Sequence, residues 1–102
     1  MDNPNFKMKI ALASDTKKPS KISLRAGRAK YYLIYKNKKL IEIWKNPFSI
    51  GGGGAGWSVA KVLSDKNIDL VIAGRFGPNM EFALKQQGIK FKEAEGDIET
   101  AL

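Results

Sequence analysis

The chain has 102 residues and a formal net charge of +8, and it contains neither cysteine nor histidine. This length suits a single domain, and the missing residue types exclude disulfides, thiolate chemistry, Ser–His–Asp and Cys–His catalysis, and the usual ligands of zinc, copper and iron. Residues 1–50 hold 12 Lys/Arg and 3 Asp/Glu, whereas residues 51–102 hold 6 and 7. This basic first half predicts an anionic partner.

The two ends of the sequence predict a simple organisation. We expect residues 1–7 to form a flexible polar tail and residues 8–102 to form one domain. The first residues, MDNPNFKMK, lack the apolar stretch of a secretory signal. The sequence also lacks a run of about 18 apolar residues, so we expect no membrane helix. Together with the lack of cysteine, these features predict a cytoplasmic protein.

The first predicted strand is MKIALAS, residues 8–14, which is apolar on both faces. This pattern is typical of a central strand with cover on either side. Residues 15–30 follow and carry six Lys/Arg, together with Pro19 and Gly27, which argue against a continuous helix. We therefore predict a long irregular loop, a kind of segment that is often functional.

The next two strands are predicted at residues 31–35 and 40–44. Asn37 lies between them and tolerates the positive φ of a tight turn, so the pair reads as a hairpin. The polar residues Glu42 and Lys45 indicate that the second strand of the hairpin lies at an edge of the sheet.

The second half opens with a glycine run, residues 51–56, which leads into a predicted helix over residues 56–66. Asn67 can adopt the left-handed conformation that ends such a helix. Residues 69–73, DLVIA, then predict a short strand that is buried on both faces.

A second glycine turn, residues 74–77, leads into another helix. Pro78 suits the first helical position and Gly88 suits the position just after the helix. Residues 89–91 predict a short edge strand, and Asp97 is predicted to cap a last helical turn.

The predicted order of elements is β-β-β-α-β-α-β followed by a helical turn. Right-handed crossovers then give an α/β fold with a five-stranded mixed sheet in the order 3-2-1-4-5, with strand 2 antiparallel. This is the ribonuclease-H-like three-layer arrangement. Its switch point lies between strands 1 and 4, where open α/β sheets bind ligands beyond the carboxyl ends of the strands.

Four segments are expected to meet at the switch point: the end of strand 1, the basic loop, the glycine run and the turn after strand 4. Helix N-termini and arginines in such a place suit an anion. The candidate binding residues outside the basic loop are Ser14, Asp15, Gly53, Gly54, Gly56, Gly74, Arg75 and Gly77.

The glycine run, Arg75 and Trp57 each have a purely structural interpretation beside a functional one. The glycine run could be a flexible connection, Arg75 could pair with Asp15, and Trp57 could cover a sheet edge instead of stacking on a flat ligand. No Gly-Lys-Ser/Thr follows the glycines, so the run is not a Walker loop.

Nuclease chemistry does not fit the carboxylates. Nucleases of this fold bind two metal ions with several acids, but Gly74 and Arg75 follow strand 4 where an acid is needed, and Asp69 begins that strand at its opposite end. Asp15 alone does not make a two-metal site.

Several stretches resemble a known family. These are MKIALASD, GRAKYYLI, NPF, GGAGWSVAKVL and DLVIAGRFGPNMEFALKQQGIKFKEAEGDIETAL. They are similar to the dinitrogenase iron–molybdenum cofactor-binding family over about residues 8–102. Members commonly carry His-Phe-Gly-Arg-Ala in the first loop, where this chain has RAGRA, residues 25–29. The resemblance therefore adds Arg25, Gly27 and Arg28 to the candidates, with arginine in the position of the histidine.

The resemblance implies a non-catalytic carrier of an anionic cluster, either the iron–molybdenum cofactor or an iron–sulfur precursor. Without thiolates or imidazoles, we expect no tightly bound cofactor and no metal ligand, only transient docking by charge, with a cofactor donor or acceptor protein as partner. A metal-free module that binds an anionic metabolite is the alternative. Weak nucleic-acid binding is a third possibility, with Tyr31, Tyr32 and Tyr35 as stacking candidates, although their alternation on a strand predicts that most are buried.

Overall fold

The structure is a computed structural model and describes residues 8–50 and 54–102. The predicted tail, residues 1–7, and the candidate Gly53 lie outside the described residues. The elements in chain order are β1 (Lys9–Ser14), β2 (Tyr31–Lys36), β3 (Lys39–Lys45), α1 (Ala55–Asp65), β4 (Leu70–Ala73), α2 (Pro78–Gln86), β5 (Lys90–Glu93) and α3 (Ile98–Ala101).

The sheet has the order β3-β2-β1-β4-β5, so the predicted topology is confirmed. Strand β2 is antiparallel to both neighbours, whereas β4 is parallel to β1 and to β5. The two edge strands are β3 and β5, as their polar residues predict. The chain therefore leaves β1 and β4 in opposite directions across the sheet, which creates the predicted switch point.

The alternation of side chains along β1 separates two cores. Ala11 and Ala13 face the layer formed by α1 and α2, where their small side chains allow the helices to approach the sheet. Leu12 faces the opposite layer, where Ile98 of α3 is buried. The central strand is therefore covered on both sides, as its continuous apolar sequence predicts.

The hairpin between β2 and β3 is tighter than predicted. Both Asn37 and Lys38 have positive φ, 54° and 62°, so a two-residue turn joins strands that extend to Lys36 and Lys39. Asn37 is a common residue in this conformation, but nothing in the sequence points to Lys38. In the pairing of β2 with β3, the register shifts between Ile34 and Tyr35, which marks a β-bulge.

The helix boundaries largely follow the predicted stop and start residues. Asn67 has a φ of 61° and Gly88 a φ of 73°, each just after its helix, and Pro78 begins α2. The predicted cap at Asp97 is wrong in one respect, because its side chain makes no capping hydrogen bond to α3. Instead, the N–H of Ile98 donates to the carbonyl of Ser20 at 2.8 Å. Within residues 8–50 and 54–102, no helix has the length and apolar character needed to cross a membrane.

Candidate anion site at the carboxyl edge of the sheet

The basic loop lies across the ends of β1 and β4. The N–H of Ser23 donates to the carbonyl of Ala13 at 2.8 Å, and the N–H of Gly74 donates to the carbonyl of Ser23 at 2.8 Å. The N–H of Ala26 donates to the carbonyl of Arg75 at 3.1 Å. These bonds bring the end of β1, the loop and the turn after β4 together at the switch point, which are three of the four segments expected to meet there.

Two arginines lie side by side in this arrangement. Arg25 and Arg75 pair in an isolated parallel bridge, and both are exposed. Adjacent backbones in such pairing lie about 4.8 Å apart, so the two side chains start from neighbouring positions. Within residues 8–50 and 54–102, neither guanidinium forms an ion pair with a carboxylate. The pair therefore concentrates positive charge at this edge of the sheet.

The third arginine is held by the protein. Arg28 is half-buried, and its Nη1 donates to the carbonyl of Phe48 at 3.2 Å. This bond joins the basic loop to the segment that follows β3. Arg28 therefore contributes charge to the region and also anchors the loop.

Asn46 holds the part of the loop that carries Arg28, and sequence reasoning missed it. Its side chain is buried, and Nδ2 donates to the carbonyls of Gly27 at 3.1 Å and Ala29 at 2.9 Å. Its Oδ1 accepts a hydrogen bond from the N–H of Phe48 at 3.0 Å. The Asn-Pro pair that begins NPF is a turn signature and was the available indication.

Tyr32 supports the same loop from within the core. Its hydroxyl donates to the carbonyl of Ala26, and the ring is fully buried. Burial raises the pKa of Tyr32 well above its ordinary value, so the phenol keeps the proton that it donates. Tyr35 is buried as well, so neither ring is available to stack on a nucleobase.

The two candidates at the end of β1 have structural partners. The buried Ser14 hydroxyl donates to the carbonyl of Thr16 at 2.7 Å and accepts from the N–H of Thr16 at 3.2 Å. Asp15 is exposed, and its Oδ1 accepts from the Ser23 hydroxyl at 3.1 Å. The alternative in which Arg75 pairs with Asp15 is wrong, and no other carboxylate of the described residues forms an ion pair with Arg75.

Two of the glycines are required by packing. A Cβ on Gly56 would lie 2.9 Å from Met80 Cβ, where α1 and α2 meet. A Cβ on Gly74 would lie 2.7 Å from Leu24 Cα, where the loop crosses the end of β4. Gly27 has ordinary clearance from Gly56, at 3.5 Å from its nitrogen. Close approach of backbones therefore explains Gly56 and Gly74 without a ligand.

The other two candidate glycines among the described residues, Gly54 and Gly77, lie at helix starts. Gly54 is the N-cap of α1 with a φ of 87°, and Gly77 is the N-cap of α2 in an extended conformation. Neither α1 nor α2 has a side-chain hydrogen bond to cap its N-terminus. Just before Gly77, the N–H of Phe76 donates to Glu93 Oε2 at 3.2 Å. Because β3 and β4 run in the same direction as β1, the helices that follow them, α1 and α2, both begin at the carboxyl edge of the sheet. The positive ends of their dipoles therefore lie at this edge.

The donor set fits an anion better than a coordinated metal. The chain has no thiolate or imidazole, and residues 8–50 and 54–102 contain no group of three or more acids placed to hold a metal ion. Trp57 lies on α1. It contacts Phe82 edge-on, with ring centroids 5.6 Å apart, and remains 41% exposed.

Comparisons with known proteins agree with this fold. A family model described as dinitrogenase iron-molybdenum cofactor matches residues 8–102. A putative NifB protein from Thermotoga, of the DUF35 family, has a TM-score of 0.76 and 29% identity, and the match covers 92% of this chain and 83% of that one. The apo form of the orange protein from Desulfovibrio gigas has a TM-score of 0.84 and 23% identity, covering 93% and 83%. No curated protein matches.

Proposed function

Because the chain belongs to the dinitrogenase iron–molybdenum cofactor family over residues 8–102, we propose that it binds an anionic metal cluster as cargo and releases it without catalysing a reaction. The cargo is the iron–molybdenum cofactor or an iron–sulfur precursor. The observation that carries the proposal is the exposed pair Arg25 and Arg75, fixed together at the switch point of the sheet.

Charge and geometry support this proposal together. Two guanidinium groups that start from paired backbones can donate to one multivalent anion, and charge-assisted hydrogen bonds of this kind are stronger than neutral ones. The loop also carries Lys17, Lys18 and Lys21, all exposed, which raises the local concentration of an anion around the pair. The hydrogen bonds from Ser23 and Ala26 keep the arginines in place before the ligand arrives.

The chain has no side chains of the kind that coordinate the metals of a cluster, so we expect the cluster to be held by charge. Clusters of iron and sulfur are held by thiolates or imidazoles, which this chain lacks. Met80, in the first turn of α2, is buried against Gly56. A metal-free role in binding an anionic metabolite is the second candidate, because the same arginines would also bind a phosphate or a carboxylate.

Removing either arginine of the pair should weaken oxyanion binding. We expect Arg25→Ala and Arg75→Ala each to lower the affinity for molybdate by about ten- to a hundred-fold, because each loses a charge-assisted contact. Isothermal titration calorimetry at low ionic strength measures this. Lys90→Ala is the matched control, since it removes an exposed cation at the opposite edge of the sheet. Unaltered molybdate affinity in the double arginine variant would place the anion site elsewhere.

Anaerobic reconstitution tests the cargo itself. We expect protein incubated with iron, sulfide and molybdate to retain cluster after desalting at low ionic strength and to lose it at high salt, because screening weakens exposed charge pairs. Metal analysis of the desalted protein measures the retained iron and molybdenum. A stoichiometric cluster that survives high salt would contradict docking by charge. If no cluster is taken up at any salt concentration, the metabolite-binding candidate is favoured.

A further inference from the structure

Strand β3 forms an edge of the sheet with an apolar centre. It is seven residues long, its neighbour on one side is β2, and among residues 8–50 and 54–102 no strand pairs with its other side. Leu40, Ile41 and Ile43 are 39%, 51% and 43% exposed. Edge strands are usually protected by charges, prolines or bulges, because free N–H and C=O groups beside apolar side chains can pair with another chain. The bulge of β3 lies at Ile41, and the strand from Glu42 to Lys45 pairs regularly with β2.

The one acidic residue of this strand does not protect its centre. Glu42 is half-buried, and its carboxylate forms an ion pair with Lys66, which follows α1, and accepts a hydrogen bond from the Lys66 Nζ. The Nζ of Lys66 also lies 5.9 Å from the centre of the Trp44 ring. These contacts draw Glu42 toward the helical layer and neutralise its charge.

Lysines surround the apolar centre at both ends of β3. Lys36, Lys38 and Lys39 cluster at the hairpin turn, and Lys45 ends the strand. All four are exposed, and within residues 8–50 and 54–102 none of them is paired with a carboxylate. The edge therefore combines an apolar centre with unneutralised positive charge at either end.

This charge pattern selects among possible occupants. In an antiparallel pair with a second copy centred on this strand, the lysine-rich turn of one chain would approach Lys45 of the other, and like charges close together are destabilising. An anionic lipid surface would satisfy the lysines but would not offer the regular alternation of N–H and C=O groups that pairs with the edge of a strand. An extended segment with acidic ends and an apolar centre satisfies the lysines, the isoleucines and the backbone together.

We propose that β3 is a docking edge for an extended segment of another protein, with Asp or Glu at its ends and β-branched residues between them. The segment would add a sixth strand beside β3, with main-chain hydrogen bonds supplying affinity and the lysines selecting acidic partners. The inference does not rest on the anion site, because β3 is separated from β4 by β2 and β1.

The probe is a synthetic peptide as long as β3, acetyl-Asp-Glu-Val-Thr-Val-Glu-Asp-amide, titrated into isotope-labelled full-length protein. We expect amide shifts and slowed amide exchange confined to β3 and its turn. Lys39→Glu combined with Lys45→Glu should weaken binding at least about tenfold. Lys90→Glu combined with Lys92→Glu, which makes the same charge change on the other edge strand, should leave binding unchanged.

A second variant separates the apolar contribution from the charge. Ile41→Thr combined with Ile43→Thr keeps β-branched residues in the strand and is expected to weaken binding several-fold while the protein stays folded, as judged by the dispersion of its amide resonances. Any of four results would overturn the proposal: no binding at millimolar peptide, equal weakening by the β5 control, equal binding of a peptide with lysine at its ends, or dimerisation of the protein through β3 in sedimentation experiments.

Discussion

Replacing Asn46 with alanine is expected to lower the free energy of unfolding by about 2–4 kcal/mol. The buried amide donates to the carbonyls of Gly27 and Ala29 and accepts from the N–H of Phe48. Alanine supplies none of these partners, so three backbone groups lose their hydrogen bonds at once. Urea denaturation measures the change as a lower midpoint at an unchanged slope.

Asn79→Ala is the matched control for this experiment. Asn79 is exposed on α2, and its side chain makes no hydrogen bond within the described residues, so we expect a change of less than about 0.5 kcal/mol. Asn46→Ala should also speed amide exchange in residues 25–29, because the loop loses the two bonds from the Asn46 side chain and keeps only the Arg28–Phe48 contact and the backbone bond to Lys30. Exchange in that loop at the rate of the unmodified protein would show that Asn46 does not position it.

Replacing Gly74 with valine is expected to lower the free energy of unfolding by about 3 kcal/mol, the upper end of the usual cost of overpacking. The new Cβ would lie 2.7 Å from Leu24 Cα and 3.2 Å from the Ser23 carbonyl oxygen. Both neighbours are backbone atoms, so a side-chain rotation cannot relieve the clash. The loop must move away from β4, which breaks the hydrogen bond from Gly74 N–H to Ser23.

Gly77→Val is the control, because it introduces the same side chain in the same turn. A Cβ on Gly77 meets nothing within 4 Å, and the residue is extended before Pro78, a conformation that valine adopts readily. We expect a loss below about 1 kcal/mol in thermal or urea unfolding. If both valine variants were equally stable, the close approach of Leu24 to Gly74 would not be a constraint on the fold.

The fold follows largely from local patterns in the sequence. The continuous apolar run of β1 predicts a covered central strand, and the run of β4 predicts the same. The handedness of crossovers then leaves one simple strand order, which is the one observed. Asn67 and Gly88 mark helix ends because few residues adopt positive φ without strain.

The resemblance to known sequences identifies the family of this chain, but the anion site at Arg25 and Arg75 is a proposal. The sequence places Arg25 and Arg75 in two turns, and only the structure joins those turns in one bridge. Conversely, Ser14 looks like a ligand residue at a strand end, yet its hydroxyl is buried, donates to the carbonyl of Thr16 and accepts from the N–H of Thr16. The difference arises because hydrogen-bond partners distant in sequence are set by tertiary packing.

The sequence by itself determined which segments become strands and helices, because periodicity and turn residues act over a few neighbouring positions. The tertiary structure alone decided what Gly74, Gly56 and Asn46 do. Glycine in a turn reads as conformational freedom, but Gly74 and Gly56 are explained by the backbones that approach them. Asn46 reads as a turn residue, but its two donated bonds reach residues 17 and 19 positions earlier, which no local pattern records.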